Sequence, residues 1–180
     1  VYVWGYFNFE SYYRPEVFKG LQGRAVVQVA CGAEHTVFLT DLGKVFCSGR
    51  NTHYQLGDGT SRDYDNPTQV TKIDHLIVTK ICCGSSFTVA LTDTGNVIMW
   101  GTLRHGGQYG TVVLQEPAYM KPLKRVNIVD IASGGAHVLA LGADGTLYTW
   151  GYVFDCYIAI NYTLNCQIKL FSSTRGNNYF

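Results

Sequence analysis

The sequence predicts an all-β fold: an incomplete β-propeller of about three four-stranded antiparallel blades, with an extra C-terminal strand segment. Three observations predict it. Pro15, Pro67 and Pro117 stand 52 and 50 residues apart, and a glycine (Gly32, Gly84, Gly134) follows each of them 17 residues later. Gly43, Gly95 and Gly145 come 11 residues after those, and Gly49, Gly101 and Gly151 a further 6. Between the markers lie short runs rich in Val, Ile, Phe and Tyr, which suit pleated, half-buried strands. A fixed period of this length marks stacked units that bury a core only against their neighbours.

Each element follows from this ruler. An N-terminal strand over 1–5 ends on Trp4-Gly5. The repeat 15–66 offers the runs Pro15–Phe18, Val26–Cys31, His35–Thr40 and Lys44–Ser48. The repeat 67–116 offers Pro67–Ile73, Val78–Cys83, Phe87–Thr92 and Asn96–Trp100, and 117–151 offers Pro117–Leu123, Ile128–Ser133, His137–Gly142 and Thr146–Trp150. No run of ten residues holds a helical period. Four strands per repeat is the content of one propeller blade, so residues 1–151 form the repeat region. Asp41-Leu42-Gly43, Asp93-Thr94-Gly95 and Ala143-Asp144-Gly145 are hairpin turns in which glycine supplies a positive φ. The prolines are expected at strand starts, where only an edge donor is lost. Trp100-Gly101 and Trp150-Gly151 close their strand runs, and tryptophan there adds a large apolar contact between neighbouring blades.

The ruler stops after Gly151. In the segment 152–171, Ile158, Ile160, Tyr162, Leu164, Cys166, Ile168 and Leu170 alternate with smaller or polar residues, a β period. It reads as an edge strand or hairpin patching the last blade, as a strand offered to a partner, or as a segment foreign to the repeat. Residues 172–180 read as a flexible end.

Composition limits the function. Hydrophobic residues make up 47% and charged residues 15%, a globular balance. The formal net charge is +1, and Lys121, Lys124 and Arg125 are the nearest thing to a basic block, so a nucleic-acid footprint is not expected. The stretch 157–171 carries Asn161, Asn165, Gln167 and Lys169 and is shorter than the ~20 residues of a spanning helix, so no membrane span is expected. Residues 1–9 lack a secretory pattern, and an intracellular location, nucleus or cytoplasm, is expected.

The residues that invite chemistry fall on the ruler. His35 and His137 are equivalent, with Phe87 between them, and a histidine that recurs with the repeat is expected to be structural, bonded to backbone within its own blade. Cys31, Cys47, Cys82 and Cys83 align with small or apolar core positions, no C-x-x-C spacing occurs, and reduced thiols are expected. Asp58, Asp63 and Asp65 lack calcium-loop spacing and read as a solvated loop. No nucleophile–base–acid set emerges, so no enzyme activity, cofactor or metal is expected.

The stretch 26–60, VVQVACGAEHTVFLTDLGKVFCSGRNTHYQLGDGT, resembles the repeat of the regulator of chromosome condensation family. The shared elements are Gly32-Ala33-Glu34-His35-Thr36, Gly134-Gly135-Ala136-His137, the Trp-Gly pairs, Tyr54-Gln55-Leu56-Gly57 and Gly107-Gln108-Tyr109-Gly110. The resemblance covers residues 1–151 and departs from the pattern at Phe87 and at the short segment between Gly5 and Pro15. It implies a seven-bladed parent architecture, of which this chain holds about three blades, open to completion by another chain.

The expected function is a non-enzymatic protein–protein interaction module. The long loops 50–66 and 102–116 carry Tyr54, Tyr64, Arg104 and Tyr109, with the aromatic and Arg character of interface anchors. The resemblance implies two alternatives: nucleotide exchange on a Ran-like small GTPase, and a regulatory propeller within a larger protein such as a ubiquitin ligase.

Overall fold

A computed structural model describes residues 1–7, 10–104, 110–151 and 168–170. Strands β1 (Tyr2–Phe7) and β2 (Glu10–Val17) form an antiparallel pair. The first four-stranded sheet holds β3 (Val26–Cys31), β4 (His35–Thr40), β5 (Val45–Gly49) and β6 (Tyr64–Gln69), in that order. The second holds β7 (Val78–Cys83), β8 (Phe87–Thr92), β9 (Val97–Arg104) and β10 (Thr111–Tyr119). The third holds β11 (Ile128–Ser133), β12 (His137–Gly142), β13 (Leu147–Gly151) and β14 (Ile168–Leu170). The described residues thus form blades of a β-propeller. Single 3-10 turns at Thr71–Ile73 and Lys121–Leu123 lead from one sheet to the next. No helix among the described residues is long and apolar enough to cross a membrane.

The hairpin turns are built as the glycines require. Gly43, Gly95 and Gly145 have φ of +71°, +75° and +82°, and each amide bonds back to the carbonyl three residues earlier. Gly32, Gly84 and Gly134 are glycine for a different reason. The ring three residues on, His35, Phe87 or His137, lies against each one, and an added Cβ would overlap a ring carbon.

The prolines correct an expectation. Pro15, Pro67 and Pro117 lie within β2, β6 and β10 rather than at strand starts. Each falls where the pairing register shifts, between Val3 and Gly5, between Cys47 and Gly49, and between Leu114 and Ala118. Each also stands on an outermost strand. A missing N–H is tolerated at a bulge on an edge, and the bulge in turn twists the edge. The proline strand therefore belongs to the preceding sheet, and sequence repeat and sheet are offset by one strand. β14 also differs from the other outer strands: it pairs parallel to β13, Leu147 opposite Ile168 and Thr149 opposite Leu170. The rest of the alternating tail and the flexible end expected over 172–180 lie outside the described residues.

Each pair of facing sheets shares one core. Val37, Leu39, Val45 and Cys47 of the first sheet meet Ile81, Ala90, Ile98 and Trp100 of the second. Val89, Leu91, Val97 and Met99 of the second meet Ile131, Ala140, Tyr148 and Trp150 of the third. Phe38 and Phe46 on the outer face of the first sheet are covered by Leu21 and Phe18, with the Phe18 and Phe38 rings stacked at 5.8 Å. The tryptophans show what this stacking decides: Trp100 and Trp150 are 0% and 4% exposed, whereas Trp4, with no sheet in front of it, is 67% exposed.

Candidate functional site

The loop after β5 is held from within. Asn51 is fully buried. Its backbone N–H donates to Asp63 Oδ1 at 2.7 Å. Its side-chain amide donates to Asp58 Oδ1 and to the Thr60 carbonyl at 2.9 and 2.8 Å, and its Oδ1 accepts from Leu56 N–H at 2.9 Å. Asp58 also accepts from the Thr60 amide and hydroxyl and from the Tyr64 hydroxyl at 2.8 Å. Burial pulls the Asp58 carboxyl upward, but the bonds from Thr60, Tyr64 and Asn51 outweigh it and hold the group below its ordinary value. Asp58 is thus a half-buried structural acceptor, which corrects its reading as solvated, whereas Asp63 and Asp65 are exposed as that reading has them, Asp63 also accepting from the Asn51 backbone amide.

Gln55-Leu56-Gly57 joins this loop to the second sheet. The Gln55 carbonyl accepts from both the Thr88 hydroxyl and Trp100 Nε1–H, at 3.0 and 2.9 Å. Leu56 enters the core between the first and second sheets. Gly57 lies against the Trp100 indole, so that a Cβ would fall 2.7 Å from Cδ1.

Of the residues expected at an interface, the structure puts Tyr54 in this loop and Tyr64 at its end, as the first residue of β6. Tyr54 is half-buried with φ of +60°, the single non-glycine positive φ among the described residues. Tyr64 is also half-buried, bonded to Asp58, with the Arg62 guanidinium 5.9 Å from its ring centroid. Arg104 contributes the last residue of β9, opposite Thr111. Its side chain and the whole of Tyr109 lie outside the described residues.

His35 acts between sheets. His35, 3% exposed, places Nε2 3.0 Å from Thr88 Oγ1 in the second sheet, not on backbone within its own sheet. Because the Thr88 hydroxyl donates to Gln55, its oxygen accepts from His35 Nε2–H, which fixes the tautomer and leaves a buried, unpartnered Nδ1. Burial lowers the His35 pKa to about 4. At the next junction the corresponding residues are Phe87 and Val138, both buried in one apolar cluster. The departure at Phe87 fits this: its ring shares an apolar cluster with Val138, which offers no acceptor.

The cysteines pack. Burial pushes the Cys82 thiol up to about 11, and drives Cys47 and Cys83 higher still. Cys31 is exposed, unlike its equivalent Cys83, because only two strands stand in front of the first sheet. Cys156 and Cys166 lie outside the described residues. Among the described residues no three His, Cys, Asp or Glu side chains converge. The buried His35 imidazole and the Cys47, Cys82 and Cys83 thiols are held uncharged, and the loop after β5 is tied by its own hydrogen bonds.

Sequence reasoning missed Asn51, Thr88 and the role of Asp58. The ruler puts Leu103 and Val153 at the position of Asn51, so no repeat signal exists for it. Gln55 did carry one, since Gln108 repeats it.

Comparison with known proteins agrees with this architecture. A family model described as regulator of chromosome condensation (RCC1) repeat matches residues 1–39 and 43–91, and a second model of the same description matches 26–55, 78–106 and 128–152. The chain is similar to the human E3 ubiquitin-protein ligase HERC2, with 32% identity over 171 residues, 87% of this chain and 4% of that protein. It is also 32% identical over 142 residues to the ultraviolet-B receptor UVR8 of Arabidopsis thaliana, covering 77% of this chain and 32% of that one. The chain therefore spans a small part of the length of these relatives. Among solved structures, human WBSCR16 superposes with a TM-score of 0.68 at 24% identity, over 80% of this chain and 37% of that one. The yeast protein Prp20p of Saccharomyces cerevisiae, studied for binding to Gsp1p and histones, gives 0.67 at 24% identity, over 78% and 36%. At that identity the two structures speak for the fold.

Proposed function

Because this chain belongs to the regulator of chromosome condensation repeat family, we propose that it is a non-enzymatic protein–protein interaction module whose long blade loops dock a protein partner. The observation that carries this reading is the hydrogen-bond network within the loop after β5. A loop locked by Asn51 and Asp58 presents Tyr54 and Tyr64 with little ordering left to lose on binding. Arg104, at the end of β9, and Tyr109 complete the proposed anchor set.

Affinity capture with the chain and with an Arg104→Ala/Tyr109→Ala variant tests it. The expected outcome is selective loss of a captured protein from the variant; equal recovery by both would sink the loop surface.

A second reading is favoured by the similarity to ubiquitin-pathway proteins: the chain serves as a regulatory propeller segment of a ligase-type protein, and its partner belongs to that pathway. Recovery of ubiquitin-pathway components in the same capture supports it. Exchange on a Ran-like GTPase, suggested by the likeness to Prp20p, is checked by nucleotide release from that GTPase, where a rate at the buffer baseline rejects exchange.

A further inference from the structure

The junction between the first and second sheets and that between the second and third share one backbone frame at the hairpin-turn end. Val78 N–H donates to the Gly43 carbonyl at 3.1 Å, and Ile128 N–H to the equivalent Gly95 carbonyl at 3.2 Å. In the 3-10 turns, Asp74 N–H donates to the Thr71 carbonyl and Lys124 N–H to that of Lys121, each at 3.1 Å. The ruler therefore makes Asn96 the equivalent of Lys44, Tyr119 of Gln69, Lys124 of Asp74 and Arg125 of His75. At the first junction this frame holds a closed ion pair. The Asp74 carboxylate lies 3.2 Å from Lys44 Nζ and accepts from Gln69 Nε2 at 2.7 Å. Lys72 on the same turn is paired with Glu116 at 3.0 Å.

At the second junction every member of that set is changed. Asn96 stands in place of the lysine, its amide bonded to Thr94 Oγ1 at 2.9 Å. Tyr119, 48% exposed, stands in place of the glutamine. Lys124 stands in place of the carboxylate itself. Lys124 and Arg125 are both exposed, and among the described residues no carboxylate pairs with either. Lys121, at the start of the turn, brings a third positive charge. The acids of the adjoining hairpin turns are engaged or turned away. Asp144 accepts from the Thr146 amide and hydroxyl. Asp93 lies on the far side of its turn, its N–H on the Ile77 carbonyl. A closed pair at one junction has thus become an open cationic patch at the next.

We propose that this patch docks an acidic polypeptide segment of another protein, whose carboxylates complete at Lys124 and Arg125 the ion pairing that Asp74 and Lys44 complete within the chain at the first junction. Charge complementarity selects the occupant. Lys124 offers a point charge and Arg125 a planar fork that takes a carboxylate through two parallel N–H bonds. Tyr119 beside them supplies the large amphipathic surface that interfaces favour. A nucleic acid is the poorer fit, because the chain carries a formal net charge of only +1 and no basic run continues the patch. The patch lies where β9 begins and β10 ends, at the opposite end of that hairpin from Arg104. It is therefore separate from the loop surface proposed above and does not depend on it.

Labelled hexaglutamate is the probe, with hexaglutamine and a short DNA duplex as its counterparts, each titrated against the full chain by fluorescence anisotropy at low salt. The decisive variant is Asn96→Lys/Lys124→Asp, which rebuilds the closed pair of the first junction. It is compared with Lys19→Ala, which lowers the net charge by the same single unit from the equivalent turn of the first sheet. Urea unfolding of each variant confirms the fold, and Lys124→Ala/Arg125→Ala serves as a second route should the rebuilt pair destabilise it. The expected result is binding of hexaglutamate but not hexaglutamine. The Asn96→Lys/Lys124→Asp and Lys124→Ala/Arg125→Ala variants should weaken it about five- to tenfold, and Lys19→Ala should leave it unchanged. The Arg104→Ala/Tyr109→Ala variant should bind hexaglutamate as the parent does, which separates this site from the loop surface. Absence of hexaglutamate binding, an equal loss with Lys19→Ala, or tighter binding of the duplex through Lys124 and Arg125 would overturn the proposal.

Discussion

Burial of the His35 ring makes the junction between the first two sheets sensitive to acid. The folded pKa of about 4 lies below the ordinary 6.5, so between these values the unfolded chain binds a proton that the folded chain refuses. The stability this represents is complete above pH 6.5 and is lost progressively as pH falls toward 4. Its full size is about 3 kcal/mol, from 1.36 kcal/mol per pKa unit. Urea unfolding at pH 7 and at pH 4.5 should show the loss, and His35→Gln should remove that component of the pH dependence. The pairing of neighbours across junctions is testable at the same scale. Phe87→His puts an imidazole against Val138 and should cost about 2–4 kcal/mol. Adding Val138→Thr restores an acceptor, and a double-mutant cycle should return a coupling of at least about 1 kcal/mol. A coupling of zero would mean that the two residues do not read one another.

At the scale of the element, glycines on one ruler do different work and should tolerate alanine differently. Gly145 has φ of +82° but open space where a methyl group would stand, so Gly145→Ala should cost only the backbone term, about 1 kcal/mol. At Gly84 the obstacle is the Phe87 ring, deep in the core, and Gly84→Ala should cost about 1–3 kcal/mol or more through overpacking. Chemical unfolding of the two variants beside the parent chain checks the order; equal costs would remove the steric account. The prolines carry the complementary lesson. Their spacing marked the repeat correctly, but local sequence assigned them to strand starts. Only pairing revealed the bulge on an outer strand that makes a missing donor harmless.

At the scale of the molecule, burial follows position in the stack rather than residue type. Val29, Ile81 and Ile131 are nearly the same side chain in the same strand, yet the first is exposed and the others are not. Trp4 and Trp100 differ in the same way. This is the behaviour of a quasi-one-dimensional repeat, in which each unit is stabilised by the interfaces on its two sides. The candidate site divides likewise. Tyr54, Tyr64, Arg104 and Tyr109 were legible as aromatic and Arg residues, but that Tyr64 opens β6 and Arg104 ends β9, and that Asn51 and Asp58 hold the loop around Tyr54, was not. Asn51 and Asp58 are ordinary polar residues in sequence, and a hydrogen-bond network between residues up to 12 positions apart leaves no period to detect.

The sequence by itself determined the strands, the hairpin turns, the repeat length and the family, because all of these rest on local backbone preference and on a period that a single chain displays. The tertiary structure alone decided which sheet each proline strand joins, which partner His35 chooses and which residues surround Phe87. Those are properties of contacts between sheets, and the contact of one repeat with the next depends on a neighbouring surface that no single repeat encodes.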